Sequence, residues 1–265
     1  RQSRSRIGLV DLATVARGTD AIRERLAKLA DEGIRAAVID AVFDAELETI
    51  GRAALTHRLS VGASGLGLGL ARGLVASGQV RAGGIAGDGT HGEVGGATAC
   101  LAGSCSQATL GQVAEAEKVM PVLRLDPERI IAGSGEVDGA IRWARERLAQ
   151  GPVLIASSAT AEQVASVQSR HGREAAGHAI EQAMASIAEA LVEAGVRRLV
   201  VAGGETSGAA VDRLGLLGFL IGPEIAPGVP VLRVVGGRQG DMLLALKSGN
   251  FGGPAFFSDA LGLMR

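Results

Sequence analysis

Aromatic residues are nearly missing from this chain: five Phe, one Trp and no Tyr among 265 residues. That scarcity argues against stacking platforms for bases or sugars and leaves the core to Ala, Val, Leu and Ile. Cys100 and Cys105 are the two cysteines, too few for a disulfide framework, which points to a reducing cytoplasm. No run of about 20 consecutive apolar residues occurs, so no membrane span is expected. A basic excess is also lacking. With 27 Lys+Arg against 28 Asp+Glu the net charge is −1, which leaves no positive face for nucleic acid. Arg1–Arg6 is basic, but Ile7–Leu12 is too short for the apolar region of a signal peptide and is broken by Asp11. Because the chain does not open with Met, it is expected either to follow a processing event or to continue a longer protein.

Glycine lies at the other extreme, 40 of 265 residues, roughly twice the usual ~7%. Around it, short apolar runs alternate with amphipathic stretches. Expected strands are Ile7–Leu12, Ile34–Asp40, Leu59–Gly62, Thr98–Ala102, Pro121–Leu125, Pro152–Ser157, Arg198–Ala202, Phe219–Ile221, Val231–Val234 and Met242–Lys247. Expected helices are Thr19–Ala30, Ala45–Leu55, Gln107–Lys118, Val137–Ala149, Glu162–Arg170, Glu174–Ala194 and Ser207–Leu214. In Thr19–Ala30, Ile22, Leu26 and Leu29 share one face, the 3.6-residue period of a helix. The alternation predicts an α/β fold of mostly parallel sheets with flanking helices, a Rossmann-like three-layer arrangement. The segment Ala76–Ala97 is glycine-dense and aperiodic and reads as a linker, and all seven prolines lie at or beyond Pro121. Two domains are therefore expected: a shorter one over 1–82, a glycine-rich linker over 83–97, and a complete α/β domain over 98–265.

In open parallel sheets ligands bind beyond the carboxyl ends of strands. Three such junctions are rich in glycine and hydroxyls: Gly103-Ser104-Cys105-Ser106, Gly203-Gly204-Glu205-Thr206-Ser207-Gly208, and Lys247-Ser248-Gly249-Asn250-Phe251-Gly252-Gly253. Each offers backbone N–H groups to an anion, and the first two open helices whose dipoles favour negative charge. One alone would be ordinary turn chemistry; three at equivalent strand ends favour a phosphate-rich ligand. None matches the P-loop or the dinucleotide glycine pattern, which weakens a dehydrogenase reading.

These motifs, with Pro227-Gly228-Val229-Pro230 and Phe256-Phe257, resemble the four-carbon acid sugar kinase family from about Ile7 to about Leu261. The resemblance implies an ATP-dependent kinase, with Mg²⁺, that phosphorylates the terminal hydroxyl of acids such as 3-oxotetronate, threonate or erythronate. It implies that 98–265 binds nucleotide and that 1–82 is the remainder of an acid-sugar-binding domain. ATP contacts are implied at Ser104, Gly203, Gly204, Glu205, Thr206 and Gly249. The family's opening segment, with an Asp-Asp-Phe-Thr-Gly motif, has no counterpart here, so the acceptor-side acid or base is expected to lie in that segment. A nucleotide-binding or regulatory module without catalysis is the rival expectation.

Other residues carry two readings each. Ser106, Lys247 and Ser248 are candidate phosphate contacts, Lys247 alternatively a solvated lysine at a strand end. Thr206 or Ser207 is a candidate helix cap. Glu205 suits either a metal–water shell or the helix N-terminus. Asp40, Ser64 and Gly65 are candidate acid-sugar contacts, or turn residues after strands. Cys105 reads as a small buried residue, Trp143 as a packed indole with an arginine rim, and His57, His91, His171 and His178 as surface residues without metal-ligand spacing. A small-molecule acid is the expected partner, with no nucleic acid and no membrane. The sequence leaves a homo-oligomer open.

Overall fold

The computed structural model describes residues 5–82 and 92–264. The chain divides into two compact units, Arg1–Ala86 and Gly87–Arg265. Most of the expected linker over 83–97, with His91, lies outside the described residues; its later residue Val94 is buried in a core of the second unit.

The first unit runs β1 (Ile7–Val10), α1 (Leu12–Ala16), α2 (Thr19–Asp31), β2 (Ala36–Ile39), α3 (Asp44–Ala54) and α4 (Ser64–Ala76). β1 and β2 pair in parallel. Val10, Val15, Ile22, Leu29, Ile50 and Ala53 form its core. Asp11 caps α1 by accepting from Thr14 N at 2.8 Å, and these bonds hold its carboxyl below the ordinary range. One expectation fails here: Leu59–Gly62 forms no strand. A helix forms after it, through the glycine-rich run Ser64–Ala76. Propensity argues against that helix, and packing overrides it. A Cβ on Gly69 would lie 2.0 Å from the Leu47 carbonyl oxygen, and one on Gly51 would lie 2.1 Å from the Gly69 carbonyl. Only backbones without side chains approach so closely, so α3 and α4 seat directly on each other.

The second unit continues β3 (Ala97–Ala102), α5 (Gln107–Ala116), β4 (Val122–Arg124), α6 (Pro127–Ile131), α7 (Glu136–Arg145), β5 (Val153–Ala156), α8 (Ala161–His171) and α9 (Arg173–Glu193). It ends with β6 (Val196–Ala202), α10 (Gly204–Leu214), β7 (Gly218–Ala226), β8 (Val229–Val235), β9 (Leu243–Lys247) and α11 (Phe256–Leu263). The sheet order is β4-β5-β3-β6-β9-β8-β7. Pairs from β4 through β9 are parallel, and β9-β8-β7 is an antiparallel edge.

The period-2 alternation of the strands divides two cores. Ala99, Leu101, Val153, Ile155, Leu199, Val201 and Leu244 face α7, α9 and α10. Cys100, Ala102, Leu154, Ala156, Val200, Ala202 and Ala245 face α5 and α11. The expected three-layer α/β arrangement is thus present. The helix after β3 covers one face and the helix after β6 covers the other, so the chain leaves these neighbouring strands in opposite directions. This is a topological switch point, and a crevice opens beyond it. Among the described residues, no helix is long and apolar enough to cross a membrane.

Candidate functional site

The ladder of the sheet continues past its strands into the loops. Gly103 N and Ser104 N donate to Ala202 O at 2.8 and 3.2 Å, Gly203 N donates to Lys247 O at 2.8 Å, and Ser157 N donates to Ala102 O at 2.9 Å. The loops after β3, β5, β6 and β9 are thereby tied side by side at one end of the sheet.

Missing side chains let them meet. A Cβ on Gly103 would fall 1.9 Å from Thr206 Oγ1, and one on Gly249 would fall 2.1 Å from Ser104 Oγ. Gly203 also has φ 132, which other residues rarely adopt, and its Cβ would lie 3.1 Å from Ser104 N. Ser104, Thr206 and Gly249, from three distant stretches of sequence, therefore line one cavity of about 530 Å³.

One end of this cavity is made by Gly103–Ser106, Gly203–Thr206 and Ser248–Asn250. Gly203 is the N-cap of α10, whose first-turn N–H groups lack intrahelical acceptors. Thr206 and Ser207 do not cap it. Both are buried inside its first turns: Thr206 packs on Gly103, and Ser207 Oγ donates to Val201 O at 3.4 Å. Leaving the helix end without a side-chain cap keeps those N–H groups available to an anion. Glu205 lies exposed on the same turn. The α8 and α9 side of the lining is mixed: Val164, Val167, Ala176 and Ile180 are apolar, and Gln163, Gln168 and Glu181 stand among them.

Several expected residues stand differently from the sequence reading. Lys247 is not a solvated strand end. It is 2% exposed, does not line the cavity, and burial pushes its ammonium down to about 8. Ser106 lines the cavity, but it caps α5 and its Oγ donates to Gly249 O at 2.7 Å. Cys105 is exposed rather than buried and lines the cavity. Cys100 is the buried cysteine, and burial pushes its thiol far up. Ser64 and Gly65 open α4 instead of following a strand. Asp40 follows β2, where its N–H donates to Val10 O at 3.0 Å. The cavity of the first unit is lined by residues such as Thr19, Arg23, Arg52 and Gln79 and includes none of these three. His57, His171 and His178 are exposed, and Trp143 packs on the core with the Arg147 guanidinium 4.8 Å above its ring.

Sequence reading missed Ser157 and the α8 and α9 wall of the cavity, and it named Asn250 only as a member of the third junction. Ser157 Oγ is buried without a hydrogen-bond partner and belongs to the cavity lining. A hydroxyl at the end of a strand beside the three glycine junctions was the available signal. Among the described residues, no cluster of three His, Cys, Asp or Glu could hold a metal. Two carboxylates line the cavity, Glu205 in the first turn of α10 and Glu181 on α9. That suits Mg²⁺, which binds through one or two carboxylates, waters and the phosphates of a substrate rather than in an all-protein cage.

Comparison with known proteins points the same way. A family model described as a nucleotide-binding C-terminal domain matches residues 99–257, and one described as a sugar-binding N-terminal domain matches residues 1–70. The chain is 64% identical over 267 residues to the 3-oxo-tetronate kinase of Methylobacterium radiotolerans, covering 100% of this chain and 62% of that protein. It is 44% identical over 262 residues to the 3-oxo-tetronate kinase of Cupriavidus necator, covering 98% and 59%. A crystal structure of a Haemophilus influenzae protein, described by the family model DUF1537, superposes with a TM-score of 0.67 at 34% identity, over 100% of this chain and 62% of that one. The chain therefore spans less than two thirds of these relatives.

Proposed function

We infer the function from one premise: the chain belongs to the four-carbon acid sugar kinase family. It carries the nucleotide-binding domain, and a sugar-binding portion over 1–70, of an ATP-dependent phosphotransferase whose acceptor is a four-carbon acid sugar, 3-oxotetronate before threonate or erythronate. The relatives' names support that order. One observation carries the reading: Ser104, Thr206 and Gly249 meet around a single cavity with a helix N-terminus at its floor.

Phosphoryl transfer needs positioning and charge stabilisation more than covalent participation by the protein. The N–H groups of Gly204, Glu205 and Thr206 face the triphosphate. Ser104 and the loop around Gly249 hold its flank, with Ser248 and the unpartnered Ser157 hydroxyl alongside. These are fixed dipoles that need no reorganisation as charge shifts to the leaving oxygen. The α8 and α9 wall receives the base, with Val164, Val167 and Ile180 to cover its faces and Gln163 and Gln168 to meet its polar edge, rather than aromatic stacking. Glu205 would hold Mg²⁺, which when bound would neutralise phosphate charge. The bond from the γ-phosphorus to the ADP oxygen breaks as a bond to the terminal hydroxyl oxygen forms, and the hydroxyl proton passes to water. Asp40, Ser64 and Gly65 remain the candidate acid-sugar contacts of the first unit, each near the end of β2 or the start of α4.

The test is ADP release by the 265-residue chain with ATP and Mg²⁺, in the presence of 3-oxotetronate, threonate, erythronate or no acid. Only slow release that depends on 3-oxotetronate is expected, since none of the residues assigned above is an acceptor-side acid or base. Nucleotide binding with no acid-dependent release from any of the three would instead identify a binding module without catalysis.

A further inference from the structure

The loop 248–253 is gripped by polar side chains, of which Thr109 and Gln112 are buried and Ser106 is half-buried. Ser106, Thr109 and Gln112 recur every third residue at the start of α5 and along it, so they share one face, and all three bond to this loop. Gln112 Nε2 lies 3.1, 2.9 and 3.0 Å from the carbonyls of Phe251, Gly252 and Gly253. The Gly249 carbonyl accepts from Ser106 Oγ at 2.7 Å, Thr109 Oγ1 at 2.9 Å and Lys247 Nζ at 3.0 Å. Lys247 Nζ donates also to Thr109 Oγ1 at 3.0 Å and to Ser248 O at 3.2 Å. An ammonium has three N–H bonds, and these three acceptors account for all of them. No donor remains for a phosphate.

Thr109 and Gln112 are as buried as Lys247. What faces the ammonium is uncharged: Thr109 from α5, the Phe256 ring of α11 at 5.6 Å, and two carbonyls of its own loop. Burying a cation without a counter-charge is unfavourable, so stability alone gives no reason for a lysine here. Peptide geometry offers one. The described chain has no cis peptide bond, and in a planar trans peptide the C=O and N–H point in opposite directions. Drawing the Gly249 oxygen inward therefore turns the N–H of Asn250 outward, on the side where Asn250 lines the cavity.

We propose that Lys247 is a positioning residue that, with Thr109 and Ser106, locks the Gly249–Asn250 peptide so that the Asn250 N–H faces the phosphate chain of the nucleotide. It acts through the loop and does not touch the ligand, and it rests on the nucleotide reading above. A neutral amine has two N–H bonds for the same three acceptors, so the lock slackens as Lys247 loses its proton, at a pKa that burial brings to about 8.

The experiment measures ADP and adenosine affinity, and the melting temperature, for the 265-residue chain and its Lys247→Met variant. Expected is a loss of about tenfold or more for ADP, the scale of one hydrogen bond to a charged group. Adenosine affinity is expected to hold, and the melting temperature to stay equal or rise. In the wild type, ADP affinity is expected to fall as pH rises through about 8, and in the variant to stay flat. ADP affinity within about twofold of wild type, or a parallel fall for adenosine, overturns the proposal. Should the variant not fold, a flat wild-type ADP affinity between about pH 7 and about pH 9.5 overturns it instead. Gly249→Val separates the two levels: if that variant also keeps ADP affinity, the phosphate site itself is wrong.

Discussion

In the N-terminal unit the telling glycines stand in mid-helix, where a Cβ on Gly51, Gly69 or Gly73 would meet main chain. In the C-terminal unit they stand at strand ends, where a Cβ on Gly103 would meet the Oγ1, Cβ and Cγ2 of Thr206 and one on Gly249 would meet the Ser104 hydroxyl. Both sets permit close approach by lacking a side chain, but what they approach differs. Main chain cannot retreat, so the first set determines whether two helices pack. The Ser104 hydroxyl can rotate, so Gly249 shapes the cavity without being needed for the fold, whereas Gly103 meets the Cβ of buried Thr206, which no rotation removes. The strands differ in the same sense. β1 and β2 leave Ile7, Leu9 and Val38 47%, 50% and 57% exposed, whereas β3, β5 and β6 are covered by helices on both faces. A sheet buried on both sides can keep polar loops at its ends in fixed register, and that is where the candidate site lies.

Three substitutions would break or sharpen this contrast. The largest effect is expected from Gly69→Ala, which forces a methyl against the Leu47 carbonyl and should destabilise the N-terminal unit by about 3 kcal/mol or more. Urea unfolding reads the loss, and ADP affinity should stay within about twofold, since every residue lining the cavity belongs to the other unit. Unchanged unfolding would show that the helix contact is looser than described. Gly249→Val comes next, with a loss of about 2–3 kcal/mol in ADP binding, about a hundredfold, and little change in melting temperature. A variant that melts early yet binds ADP normally would reverse the roles assigned to the two sets of glycines. Ser157→Ala is the mildest. Removing an unpartnered buried hydroxyl should leave stability unchanged or slightly higher, while ADP binding weakens by about 1 kcal/mol. Equal affinity would remove Ser157 from the site.

Much of the fold was legible from the chain. Nine of the ten expected strands form, and every expected helix does, because period and turn residues are local signals. The failure at Leu59–Gly62 and Ser64–Ala76 has a physical cause. Glycine marks a loop by local propensity, yet here each glycine on the contact face of α4 meets a partner on α3 that propensity does not register. At the site, the three glycine junctions were legible, while the orientations of Lys247, Thr206 and Cys105 were not.

What the sequence determined by itself was the order of strands and helices and the position of three glycine-rich junctions, since both depend on neighbours along the chain. Tertiary structure alone decided that β3 and β6 lie side by side and send their helices to opposite faces. It also decided that the ammonium of Lys247 turns inward. Lys247 meets Thr109 across 138 positions, and Ser106 meets the Gly249 carbonyl across 143. Contacts over such separations arise only when the packed sheet brings its carboxyl ends to one edge.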